Sequence, residues 1–107
     1  KKKKNVEIGI GLAKRLATKG LNSDMTDRER IAYAFRLCVA REAKPVEVNH
    51  LTRVFAQELK YFQDHPQAAQ KLIAADDRPE GVGASRMAAW LYVANILLNL
   101  DETITKG

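Results

Sequence analysis

Apolar residues recur at every third or fourth position along most of this chain, which is the spacing of one face of an α-helix. The first stripe predicts a helix over about 6–19, with Gly20 as its left-handed C-terminal cap. Gly9 and Gly11 each weaken that helix by about 1 kcal/mol relative to alanine, so its first turns are expected to fray. The stripe itself comprises Ile8, Leu12, Ala13 and Leu16.

The second and third helices have clear start signals. Thr26 and Glu29 form the spacing of a capping box, in which a hydroxyl and a carboxylate satisfy two free backbone N–H groups. This helix is predicted to end near 41–42. Pro45 fits the first turn of a third helix, where its missing N–H has no cost. That helix is expected to reach about Gln63.

A fourth and a fifth helix complete the pattern. Pro66 opens a short helix to about Ala75, which is expected to bury Ala69, Leu72 and Ile73. The last helix is predicted from about Ser85 to Leu100, and its wide apolar face indicates packing on more than one side. Trp90 is expected in the core against Phe35, Leu51 and Phe55. The sequence therefore predicts an all-α fold, a compact bundle of about five helices around one core.

Most of the net positive charge of the chain lies at its N-terminal end. Its net charge is +5 over 107 residues, and the run from Lys1 to Lys4 supplies four of those charges. We therefore predict a disordered basic tail, or a remnant of cloning, over 1–5 and a single helical domain over 6–107. Because the remainder has no basic face, no specific nucleic-acid partner is expected. The chain has no apolar run of about 18 residues, so no transmembrane segment is predicted.

Catalytic and metal-binding motifs are missing from the sequence. Cys38 is the single cysteine, which rules out an internal disulfide. His50 and His65 lack partners at metal-ligand spacing and are expected on the surface or at helix ends. The adjacent acids Asp76 and Asp77 lack the spacing of a calcium loop and are predicted to form a solvated turn. We predict no catalytic residue, metal ligand or cofactor for this domain.

Two segments carry a family resemblance. One reads Tyr-Ala-Phe-Arg-Leu over 33–37, followed by Ala-Arg-Glu over 40–42; the other reads Ala-Trp over 89–90, followed by Val-Ala-Asn-Ile-Leu-Leu-Asn-Leu-Asp-Glu over 93–102. Together they resemble the C-terminal part of the planctomycete-type PSD-one domain of unknown function. The resemblance implies a large exported protein that also carries a cytochrome-c-like domain. The family usually has Gly-Arg-Glu-Pro-Thr-Pro where this chain has Ala-Arg-Glu-Ala-Lys-Pro over 40–45, so that Lys44 replaces the usual threonine cap, and it tends to have an acidic residue where Arg86 stands.

Polar residues within the two segments form a candidate cluster. We interpret the arginines as holding the second and third helices at a fixed angle through helix-end carbonyls. The two asparagines, four apart on one helix face, need hydrogen-bond partners such as a helix end or the 101–103 turn. The members of the cluster are Arg36, Arg41, Asn95, Asn99, Asp101 and Glu102.

Three functions follow as hypotheses. The first is a non-catalytic helical module that packs against other domains of its parent protein or against a second copy. The second is a composite enzyme or polysaccharide-binding site in the parent protein, with Arg36, Arg41, Asp101 and Glu102 meeting in one polar cleft. The third is weak binding of an anionic polymer through the lysine tail. The missing site chemistry favours the first hypothesis.

Overall fold

Five α-helices make up the part of the chain that the structure describes. The computed structural model describes the backbone of residues 2–18, 25–78 and 82–106, and side chains between Gly9 and Leu100 within those ranges. The described residues contain no strand, which confirms the all-α prediction. The helices are α1 Lys2–Thr18, α2 Asp27–Val39, α3 Pro45–Asp64, α4 Pro66–Leu72 and α5 Ala84–Lys106, with a short 3-10 helix at Ala75–Asp77.

Helix α5 is the centre of the bundle. It packs against each of the other four helices. Five consecutive residues, 87–91, are buried, so the helix is enclosed on all sides over more than one turn. This confirms the prediction that the last helix packs on more than one side. It begins at Ala84, one residue before the predicted start, and it continues six residues past Leu100.

Trp90 occupies the middle of the core. Its side chain is fully buried, and its ring stacks on Phe55 with a centroid separation of 4.0 Å. Phe35 and Leu51 belong to the same buried cluster. The predicted core position of the tryptophan is therefore confirmed. Its indole Nε1 is buried and has no hydrogen-bond partner among the described residues.

The capping box at the start of α2 is confirmed. The Glu29 amide donates to Thr26 Oγ1 at 3.1 Å, and the Thr26 amide donates to Glu29 Oε1 at 2.7 Å. These hydrogen bonds with Thr26 lower the pKa of Glu29. The helix ends at Val39, before the predicted 41–42, because Ala40 adopts a left-handed conformation with φ of 62°.

Helix α3 begins at Pro45 as predicted, and α4 is shorter than predicted. The α4 helix ends at Leu72 instead of Ala75, and the chain then forms the 3-10 turn. Ala69 and Ile73 are buried as expected, but Leu72 is 48% exposed, so that part of the predicted core was wrong. Asp77, predicted in a solvated turn, pairs with Lys14 of α1 at 3.0 Å.

The first helix begins four residues before the expected Val6 and so includes part of the lysine run. Gly20, its expected cap, lies outside the described residues. Gly9 is buried where α1 crosses α5: a Cβ atom placed on it would lie 2.6 Å from Asn95 Oδ1 and 3.3 Å from Leu91 Cδ1. Its small size therefore permits a close helix crossing. From the sequence, Gly9 was expected only to weaken the first turns of the helix.

A charged contact links the first turns of α2 and α5. Asp27 Oδ1 accepts from Arg86 at 2.6 Å and from Arg30 at 2.7 Å. The Arg86 guanidinium also lies 5.4 Å from the Phe55 ring centroid and 6.0 Å from that of Trp90. Arg86 thus covers the central aromatic pair of Phe55 and Trp90.

Candidate functional site

The predicted arginines lie at the junction between α2 and α3. Arg36 pairs with Glu42 at 3.4 Å, and both side chains are mostly exposed. Arg41 makes two parallel hydrogen bonds to the Glu47 carboxylate, at 3.0 and 2.9 Å. Since Glu47 lies in the first turn of α3, this bidentate pair ties the chain that leaves α2 to the start of the next helix.

Glu47 is the central acceptor of this junction. Its Oε1 also accepts from the Lys44 backbone N–H at 2.8 Å, which satisfies a free backbone donor at the start of α3. The hydrogen bonds from Arg41, and then that from Lys44, lower the pKa of Glu47 to about 2. The same pairing raises the pKa of Arg41.

Arg41 was interpreted as joining the second and third helices through helix-end carbonyls, and its main partner is the Glu47 carboxylate. The side chain does connect the second and third helices, but it does so mainly through a carboxylate. Its one backbone contact is to the carbonyl of Glu42, at 3.1 Å, in the connection between the helices. The guanidinium also lies over the Phe35 ring, 4.9 Å from its centroid. Arg41 therefore covers one edge of the core.

The asparagines of the predicted cluster lie on α5. Asn95 faces Gly9 at the crossing with α1, and no described hydrogen bond joins it to Arg36 or Arg41. Asn99 lies one turn further along the same helix and is exposed. Asp101 and Glu102 continue α5, but their side chains lie outside the described residues. The structure thus brings Arg41 to Glu47 and places Asn95 at a different contact.

An apolar groove lies beside the arginine junction, between α3 and α5. Its volume is about 340 Å³. The core residues Phe35 and Leu51 contribute to its lining, although each is itself nearly inaccessible to solvent. Val46 is the most exposed large apolar residue on its wall, at 68%, while Leu100 on the opposite wall is 38% exposed. The lining residues are Phe35, Val46, Glu47, His50, Leu51, Ile96 and Leu100.

Sequence reasoning missed most of this groove. Sequence analysis named none of Val46, His50, Ile96 and Leu100 as a site residue. The available signal was the second apolar row on α5, where Tyr92, Ile96 and Leu100 recur four residues apart. Such a row, beside a stripe already sufficient for the core, indicates an additional surface.

A larger concavity, of about 460 Å³, lies at the junction of α3 and α4, and it is more polar. Here His65 Nδ1 lies 2.9 Å from the Tyr61 carbonyl, and the two rings stack 4.4 Å apart. His65 thus closes α3 and precedes α4, in agreement with the helix-end role expected for it. The residues that line this concavity are Asp64, His65, Pro66, Gln67, Ala68 and Lys71.

The described part of the chain was searched for metal-ligand clusters and for helices that could span a membrane. No three His, Cys, Asp or Glu side chains there are grouped so that they could hold a metal ion. None of the described helices has the length and apolar character needed to cross a bilayer.

The chain was compared with protein-family models, curated proteins and solved structures. No family model, curated protein or solved structure matches this chain. The resemblance to the PSD-one domain therefore stays a prediction that rests on the two sequence segments quoted above.

Proposed function

We propose that this chain is a non-catalytic helical interaction module of a larger exported protein, and that it binds an apolar segment of another domain in the groove between α3 and α5. The observation that carries this proposal is the groove itself, where Val46 and Leu100 expose apolar surface above Phe35 and Leu51. Grooves of this kind accept the apolar face of an amphipathic helix.

The size of the groove favours a short segment over a second copy of the chain. Its volume of about 340 Å³ holds one or two apolar side chains and lies at the lower end of the range for ligand sites. Stable self-association usually requires about 800 Å² from each partner, which exceeds what one such groove supplies. A neighbouring domain, joined covalently, needs less area because its effective concentration is high.

The alternative of a composite enzyme or polysaccharide site draws less support from the described contacts. Arg36 and Arg41 already have carboxylate partners in Glu42 and Glu47. Binding an anionic substrate there would have to break the bidentate pair. The lysine-tail hypothesis concerns side chains outside the described residues, and it gains no support from them.

The proposal can be tested with a neutral helical peptide of alanine and glutamine that carries two leucines four residues apart. Titrated into isotopically labelled protein, it should shift the amide resonances of Val46, His50, Ile96 and Leu100. Val46→Glu should weaken binding at least about tenfold, because burying an unpaired carboxylate against the leucines is unfavourable. Shifts confined to other surfaces, or none, would contradict the proposal.

Leu72→Glu provides the matched control, since Leu72 is also a half-exposed apolar residue but lies on α4, away from the groove. This variant should bind the peptide as the wild type does. Sedimentation over a range of protein concentrations completes the test: self-association abolished by Val46→Glu would show that a second copy is the occupant.

A further inference from the structure

The charged side chains along the rim of the groove indicate which charge its partner carries. On α3 and at its start, Glu47 is part of the lining, and Lys44 and Arg53 lie next to it by sequence and helical spacing. Glu47 is neutralised by its bidentate pair with Arg41. Lys44 and Arg53 are exposed, and neither forms an ion pair with a described carboxylate, although Lys44 lies close enough to Glu47 to help lower the pKa of that carboxyl. With Glu47 paired to Arg41, the α3 rim therefore carries a net positive charge.

The described part of the α5 rim does not offset this charge. Its exposed polar side chains there, Asn95 and Asn99, are uncharged amides. The neighbouring Arg36 and Glu42 form an ion pair and add no net charge. His50 lies on the groove wall between the two basic positions of α3. An apolar groove with this rim has the electrostatic complement of an acidic amphipathic segment.

We propose that the partner of this groove is a helical segment with two apolar side chains one turn apart, flanked on both sides by acidic residues. This inference rests on the proposed function. Val46 and His50 are four residues apart on one wall, and Ile96 and Leu100 are four apart on the other. Each row is therefore about 6 Å long and matches residues i and i+4 of the partner helix.

The spacing of the basic residues also sets the spacing of the acids. Lys44 and Arg53 are nine residues apart, which is about 13 Å along the α3 axis. They bracket the Val46–His50 row, so the partner's two carboxylates lie about nine positions apart, one beyond each end of its apolar pair. Contacts of this exposed kind contribute orientation and selectivity more than affinity, and they weaken as salt increases.

Three peptides with the same leucine pair test the inference, with glutamate, glutamine or lysine at the two flanking positions. Binding is measured from amide shifts of Val46 and Leu100 in the complete chain at low salt. The glutamate peptide should bind about tenfold more tightly than the lysine peptide, with the glutamine peptide between them. This preference should fall as salt is raised.

A double charge reversal, Lys44→Glu with Arg53→Glu, should invert the order of the peptides. Arg15→Glu with Lys71→Glu makes the same change in net charge at exposed positions on α1 and α4, and should leave the order unchanged. Circular dichroism of each variant establishes that it is folded before its binding is compared.

The outcomes separate this inference from the function on which it rests. Equal binding of all three peptides at the groove, or tighter binding of the lysine peptide, would overturn the acidic partner and leave the interaction module standing. Failure of every peptide to shift groove resonances would overturn both. An inverted order in the Arg15→Glu, Lys71→Glu variant would show that net charge, and not the rim, sets the preference.

Discussion

Gly9 and Gly11 should respond differently to the same substitution. Both lie in the helical backbone of α1, where alanine is favoured over glycine by about 0.8–1.0 kcal/mol. Gly11 is exposed, and a Cβ atom there would meet nothing within 4 Å. Gly11→Ala should therefore stabilise the fold by about 0.5–1 kcal/mol, which corresponds to a rise in Tm of a few degrees.

At Gly9 the same gain in helix propensity is opposed by a steric cost. The new Cβ atom would lie 2.6 Å from Asn95 Oδ1, so the amide must rotate away, and 3.3 Å from Leu91 Cδ1, which belongs to a buried side chain with little room to move. An off-rotamer adjustment costs about 0.5–1.5 kcal/mol. Gly9→Ala should thus lie between a stabilisation of about 0.5 kcal/mol and a destabilisation of about 0.7 kcal/mol, which is about 0.5–1.5 kcal/mol worse than Gly11→Ala.

The measurement is urea unfolding followed by far-UV circular dichroism for both single variants. Asn95→Ala removes the nearest obstacle, so the double variant Gly9→Ala, Asn95→Ala should recover part of the propensity gain. A favourable coupling of about 0.5–1.5 kcal/mol is expected for such a contacting pair. Equal stabilisation by Gly9→Ala and Gly11→Ala would refute the close crossing of α1 and α5.

Two further variants examine the core and the α2–α3 junction. Trp90→Ala should destabilise by about 3–5 kcal/mol, because it removes a fully buried ring and its stacking on Phe55, and near-wild-type Tm would contradict this. Glu47 has a pKa lowered to about 2, so its contribution to stability is complete above the unfolded pKa, near 4.5, and is lost as the pH falls toward 2. Glu47→Gln should consequently be less stable than the wild type at pH 7, and unfolding curves should show the difference shrinking between pH 5 and 2; a constant difference would mean that the charge of Glu47 is irrelevant.

The helices that could be predicted from sequence are those whose signals are local. The Thr26–Glu29 capping box and Pro45 each specify a helix start from a few neighbouring residues, and both starts were correct. Trp90 was placed correctly because a large aromatic ring on a wide apolar stripe has few alternatives to the core. The end of α2 was not predicted because Ala40 adopts a left-handed conformation, which alanine rarely does.

Features that depend on two helices together were not predictable from one periodic pattern. Gly9 looked like a weak helical position until Asn95 and Leu91 were seen against it. Likewise, Arg41 had many possible acceptors in the sequence, and only the fold selects Glu47. The groove shows the same limit, since Val46 and Leu100 are separated by about half of the chain and become neighbours only through the packing of α3 on α5.

The position of the groove gives the proposed function a physical consequence for the whole fold. Phe35 and Leu51 line the groove and also belong to the buried cluster that contains Trp90. A segment bound on their outer side binds the folded chain and not the unfolded one, so it stabilises the bundle by mass action, by about 2.7 kcal/mol at one hundred times its Kd. That is a substantial share of the roughly 5–15 kcal/mol typical of a folded domain. Docking to a neighbouring domain would therefore both use this module's surface and hold its core together.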